Sequence, residues 1–125
     1  MTSLIFDAGG LIAFERNERS VVALVARALE RNIPVLVPAG VVAQVWRDGR
    51  RQSRLARLLG SPLCSVISFD DVAARAAGQL CGVAGTRDVV DATVVLLARE
   101  YDGPVVTSDA ADLQRLDRRV RCIEV

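Results

Sequence analysis

The segment Ser3-Leu4-Ile5-Phe6-Asp7-Ala8-Gly9-Gly10 decides how the rest of the chain is read. Leu4-Ile5-Phe6 is an unbroken apolar run, which fits a strand covered on both faces better than one with a solvated side. An acidic residue follows at once, and Asp7-Ala8-Gly9-Gly10 has the composition of a turn. A buried strand that ends on a carboxylate is the expected opening of a parallel α/β sheet with its chemistry at the carboxyl edge.

The same grammar repeats outward from this segment. Residues 18–31 carry Val21, Val22, Leu24, Val25, Ala28 and Leu29 at helical spacing, with charges on the far side. Residues 34–37 (Pro-Val-Leu-Val) form a second apolar strand closed by Pro38, and 65–69 a third. Between them a helix is expected over 39–46, continued or restarted over 52–59 after Gly49. Helices over 71–83 and 88–99 precede a strand at 104–107, a short helix at 110–116 and a last strand at 121–125. Short apolar strands alternating with helices give an α/β fold: one domain over residues 1–125, a three-layer α/β/α sandwich around a mainly parallel sheet.

Composition narrows the chemistry. The chain has 125 residues, 51% hydrophobic and 25% charged, with a formal net charge of +1, so it is not a polycation that holds nucleic acid by bulk charge. It has no histidine, which removes imidazole bases and His-ligated zinc. All 16 basic residues are arginine, so no amine is present to form a Schiff base. Cys64, Cys81 and Cys122 are scattered and odd in number, as expected of free thiols in a reducing compartment. No apolar run is long enough to span a membrane, and the first residues show no basic leader. The expectation is a cytoplasmic protein whose route to hydrolysis is carboxylates with a hard metal.

The carboxylates are placed for that. Asp7 ends the first strand and Asp109 follows the strand at 104–107, so both fall on one edge of a parallel sheet. Asp88 and Asp91 are three residues apart at a helix start and share a face, and Asp109 and Asp112 repeat the relation. Two carboxylates about 4 Å apart repel by roughly 4 kcal/mol at an effective dielectric near 20, and a magnesium ion would remove that repulsion. Each pair alone also has the form of a helix cap, the first Asp as N-cap and the second in the first turn. The joint pattern, with every member where a parallel sheet places its site, favours a metal centre.

Four stretches carry a resemblance to a known family. They are Leu4-Ile5-Phe6-Asp7, Val37-Pro38-Ala39-Gly40-Val41-Val42-Ala43-Gln44-Val45-Trp46, Asp88-Val89-Val90-Asp91-Ala92, and Val106-Thr107-Ser108-Asp109-Ala110-Ala111-Asp112-Leu113. Their order and spacing resemble a PIN domain, in particular the VapC-type toxins of bacterial toxin–antitoxin pairs. The resemblance implies Mg²⁺- or Mn²⁺-dependent endoribonuclease activity, a homodimer, and inhibition by a small cognate antitoxin protein. It places the family's acidic positions on Asp7, Asp91 and Asp109, with Asp88 and Asp112 as additional candidate metal ligands. The family's remaining acid, usually glutamate, falls on Gln44, whose amide oxygen could ligate a metal but carries no charge. That departure leaves open a second reading, a weak or inactive PIN-like module that binds RNA or a protein.

The arginines after Gln44 are the candidate RNA contacts. At helical spacing Arg47, Arg50, Arg54 and Arg57 would line one side, and guanidinium groups pair bidentately with phosphate. Trp46, the single tryptophan, is expected in core or dimer packing rather than base stacking. The opening Ile5-Phe6-Asp7 also hints at a haloacid-dehalogenase-type phosphatase. That family needs a second Asp where Gly9 stands, and both it and phosphorelay receiver domains use a lysine. No G-x-x-x-x-G-K-[ST] loop exists, which removes P-loop nucleotidases.

Overall fold

A computed structural model describes residues 3–125. Met1 and Thr2, which open the segment read for a leader, lie outside the described residues. Five strands form one sheet: β1 (Leu4–Phe6), β2 (Val35–Pro38), β3 (Cys64–Ile67), β4 (Val105–Thr107) and β5 (Cys122–Glu124). The spatial order is β3-β2-β1-β4-β5 and every pairing is parallel. β1, β2 and β4 are buried along their whole length, as their unbroken apolar runs require.

Among the described residues, seven helices cover the sheet. α1 (Ala8–Glu15) and α2 (Arg19–Glu30) link β1 to β2, and α3 (Ala39–Val45) and α4 (Ser53–Leu59) link β2 to β3. α5 (Asp71–Ala84) and α6 (Val89–Tyr101) return the chain to β4, and α7 (Ala110–Leu116) leads to β5. Parallel crossovers are right-handed, so a change in the direction of travel across the sheet moves the helices to its other face. α1–α4 therefore lie on one face and α5–α7 on the other, which is the expected three-layer sandwich. The reversal also creates a crevice between β1 and β4 at their carboxyl ends, where such sheets bind ligands.

The expected turn at Asp7–Gly10 is instead the start of α1. Asp7 is its N-cap, extended in backbone, with its side chain accepting from the Gly10 N–H. The two glycines that read as a turn serve close packing. A Cβ on Gly10 would stand 2.3 Å from the Val106 carbonyl oxygen, and one on Gly9 would stand 2.0 Å from Ser108 Oγ. Both absences let α1 settle onto the end of β4. The rest of α1 is nearly all apolar because it is wedged between the sheet and its neighbouring helices, with Leu11, Ala13 and Phe14 buried.

Of the two expected arrangements over 39–59, the helix restarts after Gly49 rather than continuing through it. α3 ends at Val45 and α4 begins at Ser53, and Trp46 closes α3 in an extended conformation. Trp46 folds over Gly49, whose absent Cβ would lie 2.9 Å from Cζ2 of the indole. Trp46 is 37% exposed, so of the expected core or dimer packing the core alternative does not hold.

Gly10→Ala tests the close approach. In an unconstrained helix the change would stabilise by up to about 1 kcal/mol. Here the methyl meets backbone, and overpacking of that kind costs about 1–3 kcal/mol. A urea denaturation midpoint clearly below that of the parent is expected; an unchanged or raised midpoint contradicts the contact.

Candidate metal centre

Asp7 is the anchor. It is 8% exposed, and both carboxylate oxygens are engaged. Oδ1 accepts the Gly10 N–H at 2.9 Å and Oδ2 accepts a short hydrogen bond from the Thr107 hydroxyl. The Thr107 oxygen in turn accepts the Asp109 N–H at 2.9 Å. These bonds follow from register. Phe6 pairs with Val106, so the next residues, Asp7 and Thr107, leave their strands side by side. One threonine thereby fixes the rotamer of Asp7 and the start of the segment that carries Asp109.

Two more aspartates are caps. Asp88 accepts the Asp91 N–H at 3.0 Å at the start of α6, and Asp109 accepts the Asp112 N–H at 3.3 Å at the start of α7. Each cap uses one carboxylate oxygen and leaves the other, so capping does not exclude a further role. Three helix N-termini, those of α1, α6 and α7, are capped by Asp7, Asp88 and Asp109. Their partial positive charge favours the carboxylates gathered there.

Gathering still carries a cost, visible in the acidities. Burial, with the charges of Asp88, Asp7 and Asp112, pushes the carboxyl of Asp91 up to about 7. Burial raises that of Asp7 as well, against the hydrogen bonds from Thr107 and Gly10, and the charge of Asp109 adds to the rise. Asp112 is raised by its hydrogen bond to, and repulsion from, the Asp109 carboxyl, and Arg115 at 3.4 Å eases this. Asp88, Asp91 and Asp112 line one small cleft with Thr86, Arg115 and Leu116. The five sequence-identified carboxylates thus share one electrostatic neighbourhood at the β1/β4 crevice.

Among the described residues no three acidic or sulfur side chains are gathered closely enough to enclose a metal ion as they stand. The donor set nevertheless fits a hard divalent cation. Its members are carboxylate oxygens with lone pairs to spare, and their mutual repulsion is what such an ion relieves.

Gln44 sits exposed in the last turn of α3 with no hydrogen bond to a described residue. It lies one turn beyond Gly40, and a Cβ on Gly40 would touch Val90 of α6 at 3.3 Å. Residues four apart share a helix face, so Gln44 lies on the side of α3 that meets the start of α6.

The arginine stripe does not form. Arg47 and Arg50 lie in the 46–52 loop, not on a helix with Arg54 and Arg57. The Arg47 guanidinium donates to the carbonyls of Ala43 and Trp46, closing α3, and Arg54 donates to the Glu15 carbonyl at the end of α1. Sequence reasoning missed Thr107 as the partner of Asp7, although strand register could have named it. It also missed Gln52, which no local pattern marks. Gln52 Oε1 accepts the N–H groups of Arg47 and Asp48, and its amide nitrogen donates to Glu15 and to the Val45 carbonyl.

A parallel, doubly wound sheet with aspartates at the switch point defines a class of acidic-centred α/β domains. Within that class the chain belongs to the PIN domain family, which matches it over residues 4–119. Solved structures share the fold at low sequence identity. The structure of VapBC2 from Rickettsia felis bound to a DNA fragment from their promoter aligns with a TM-score of 0.69 at 14% identity, covering 98% of each chain. FitAcB from Neisseria gonorrhoeae aligns at 0.63 with 19% identity, covering 97% of this chain and 96% of that one. FitAB bound to the IR36 DNA fragment aligns at 0.63 with 17% identity, covering 97% and 94%. A search of curated proteins returns no match.

The raised acidity of Asp91 sets a pH dependence. Its folded-state value near 7 exceeds the ordinary 3.8, so the folded protein holds this proton more tightly than the unfolded chain does. Its contribution to stability falls as pH rises between those values and is lost above about 7. Asp91→Asn is expected to leave the metal-free melting temperature at pH 8 equal or higher and to flatten its dependence on pH. It should also shrink any rise produced by magnesium. A clear loss of metal-free stability at pH 8 with the magnesium response intact would make Asp91 structural.

Proposed function

We propose that this chain is a metal-dependent endoribonuclease that hydrolyses RNA phosphodiesters, acting as the toxin of a VapBC-type toxin–antitoxin pair. The observation that carries this reading is the placement of Asp7, Asp91 and Asp109 at the switch point of a PIN domain, with Asp88 and Asp112 beside them. Asp7, Asp91 and Asp109 would hold Mg²⁺, or Mn²⁺ in its place, with Asp88 and Asp112 as further ligands or as anchors for water. When bound, such an ion activates water and stabilises charge on a phosphodiester.

The chain's own residues do the positioning. Thr107 and the Gly10 N–H hold Asp7 in one orientation, so little further side-chain freedom would be lost on binding an ion. Asp88 and Asp109 fix the first turns of α6 and α7 and with them the backbones of Asp91 and Asp112. Asp91, half-titrated near neutral pH without a counter-charge, is the group best placed to take up or release a proton as charge in the crevice changes. Partners under this reading are an RNA substrate, a small cognate antitoxin and a second copy of the chain. The fold shared with VapBC2 and FitAB, each solved bound to DNA, supports the toxin–antitoxin setting. Three free cysteines accord with the cytoplasm, and no described helix is long and apolar enough to cross a membrane.

Gln44 favours a second reading, a PIN-like module with weak or no catalysis that binds RNA or a protein. An exposed, uncharged amide at the usual glutamate position contributes less to holding a cation than a carboxylate would.

Cleavage of a mixed pool of cellular RNA by purified protein separates the two. With magnesium or manganese, cutting is expected that chelator abolishes and that Asp7→Asn lowers by at least roughly 10–100-fold, the loss that follows removal even of a group supporting a metal ligand. Folded, inhibitor-free protein that cuts with neither metal would select the binding module.

A further inference from the structure

Residues 46–57 hold five arginines and one aspartate, although the whole chain carries a net charge of only +1. The break between α3 and α4 gives this charge a shape. Gln52 ties the 46–52 loop to the last residue of α1 through Glu15, at 2.8 Å, and to the end of α3 through the Val45 carbonyl, at 2.9 Å. Beside this clasp opens a polar cleft of about 160 Å³, lined by Glu15, Arg51, Gln52, Ser53, Arg54 and Arg57. Three of its six walls are guanidinium groups. Arg51 has only a long 3.9 Å contact with Asp48 and an 89% exposed side chain, and Arg57 is exposed with no ion pair among the described residues. Glu15, the one acid in the cleft, has both oxygens turned to the Gln52 amide.

We infer that this cleft is a phosphate-binding subsite for a single-stranded RNA backbone, formed by Arg51, Arg54 and Arg57 with the Ser53 hydroxyl. It rests on the ribonuclease reading and names where that substrate is held away from the carboxylates. The arrangement fits a phosphodiester in three respects. Its volume suits a compact anion. Its donors are planar forks that match phosphate oxygens bidentately. It is also a fixed distance from the acidic crevice, because it sits at the end of α1 whose start is capped by Asp7. Eight helical residues separate the two, about 12 Å at the helical rise, so the subsite engages a phosphate upstream or downstream of the scissile one. Trp46, half-exposed on the same clasped loop, offers a face on which a neighbouring base can stack. The set differs from the stripe expected in sequence: Arg47 is spent on closing α3 and Arg50 lies outside the cleft.

The test is binding, measured in chelator so that cleavage plays no part. Fluorescence anisotropy of a labelled single-stranded oligoribonucleotide is followed over a series of salt concentrations. Arg51→Ala and Arg57→Ala, both exposed and spared the helix-closing role of Arg54, should each weaken binding several-fold. Each should also make the logarithmic salt dependence shallower by about 0.7 for one lost phosphate contact to a single strand. Arg75→Ala, at an exposed ion pair on α5, should change neither. Arg51 and Arg57 variants that bind like Arg75→Ala overturn the subsite. So does a polyglutamate peptide that binds as tightly with the same losses, which would assign the cleft to an acidic protein partner. Arginine-dependent binding by protein that never cuts RNA supports the subsite and removes the nuclease; metal-dependent cutting indifferent to Arg51 and Arg57 does the reverse.

Discussion

A single buried carboxylate organises this molecule. Asp7 caps α1 through the Gly10 N–H, receives the Thr107 hydroxyl from β4, and through that hydroxyl is linked to the Asp109 N–H. Burial of an ionised group is tolerated only where such donors replace water. The two central strands, the first helix and the start of the last helix are therefore held in register by the group that the site needs immobile. The glycines at 9 and 10 belong to the same constraint, since only residues without a side chain allow α1 to approach β4 closely enough for the bonds to form.

The site balances two opposed fields. Capping aspartates bring negative charge to helix N-termini, where the backbone dipoles favour it. Several caps converging on one crevice then repel one another, and this repulsion adds to the burial that pushes the carboxyl of Asp91 up to about 7. Each local choice is stabilising and their sum is strained. That strain is confined to the carboxyl edge of the sheet, and it is of the kind that a bound cation would relieve.

Much of this was legible in the sequence. The buried strands announced themselves as apolar runs, and the alternation with helices sufficed for a parallel sandwich. The carboxylates at strand ends and helix starts could be assigned to one edge because parallel strands all end on the same side. What could not be read was decided by contacts distant in sequence. Ala8-Gly9-Gly10 looked like a turn because a glycine pair has no local signature that distinguishes flexibility from close packing against Val106 and Ser108. The arginine stripe failed because Trp46 and Gly49 interrupt the helix, and because a clasp between Gln52 and Glu15, 37 residues apart, is invisible to any periodicity. Of the two roles that reading the sequence had left open at Asp88 and Asp109, the structure displays the cap, which occupies one carboxylate oxygen of each.

The bond between Thr107 and Asp7 joins residues 100 positions apart. Chains are made from the N-terminus, and domains acquire their structure as they emerge. The acidic centre draws on β1, the start of α6 and the start of α7, so no nascent fragment that stops short of α7 contains it. A nascent chain carries an incomplete crevice until the start of α7 has emerged and β4 has joined the sheet beside β1. The topology thus makes the acidic crevice a late feature of the chain, whatever it acts on.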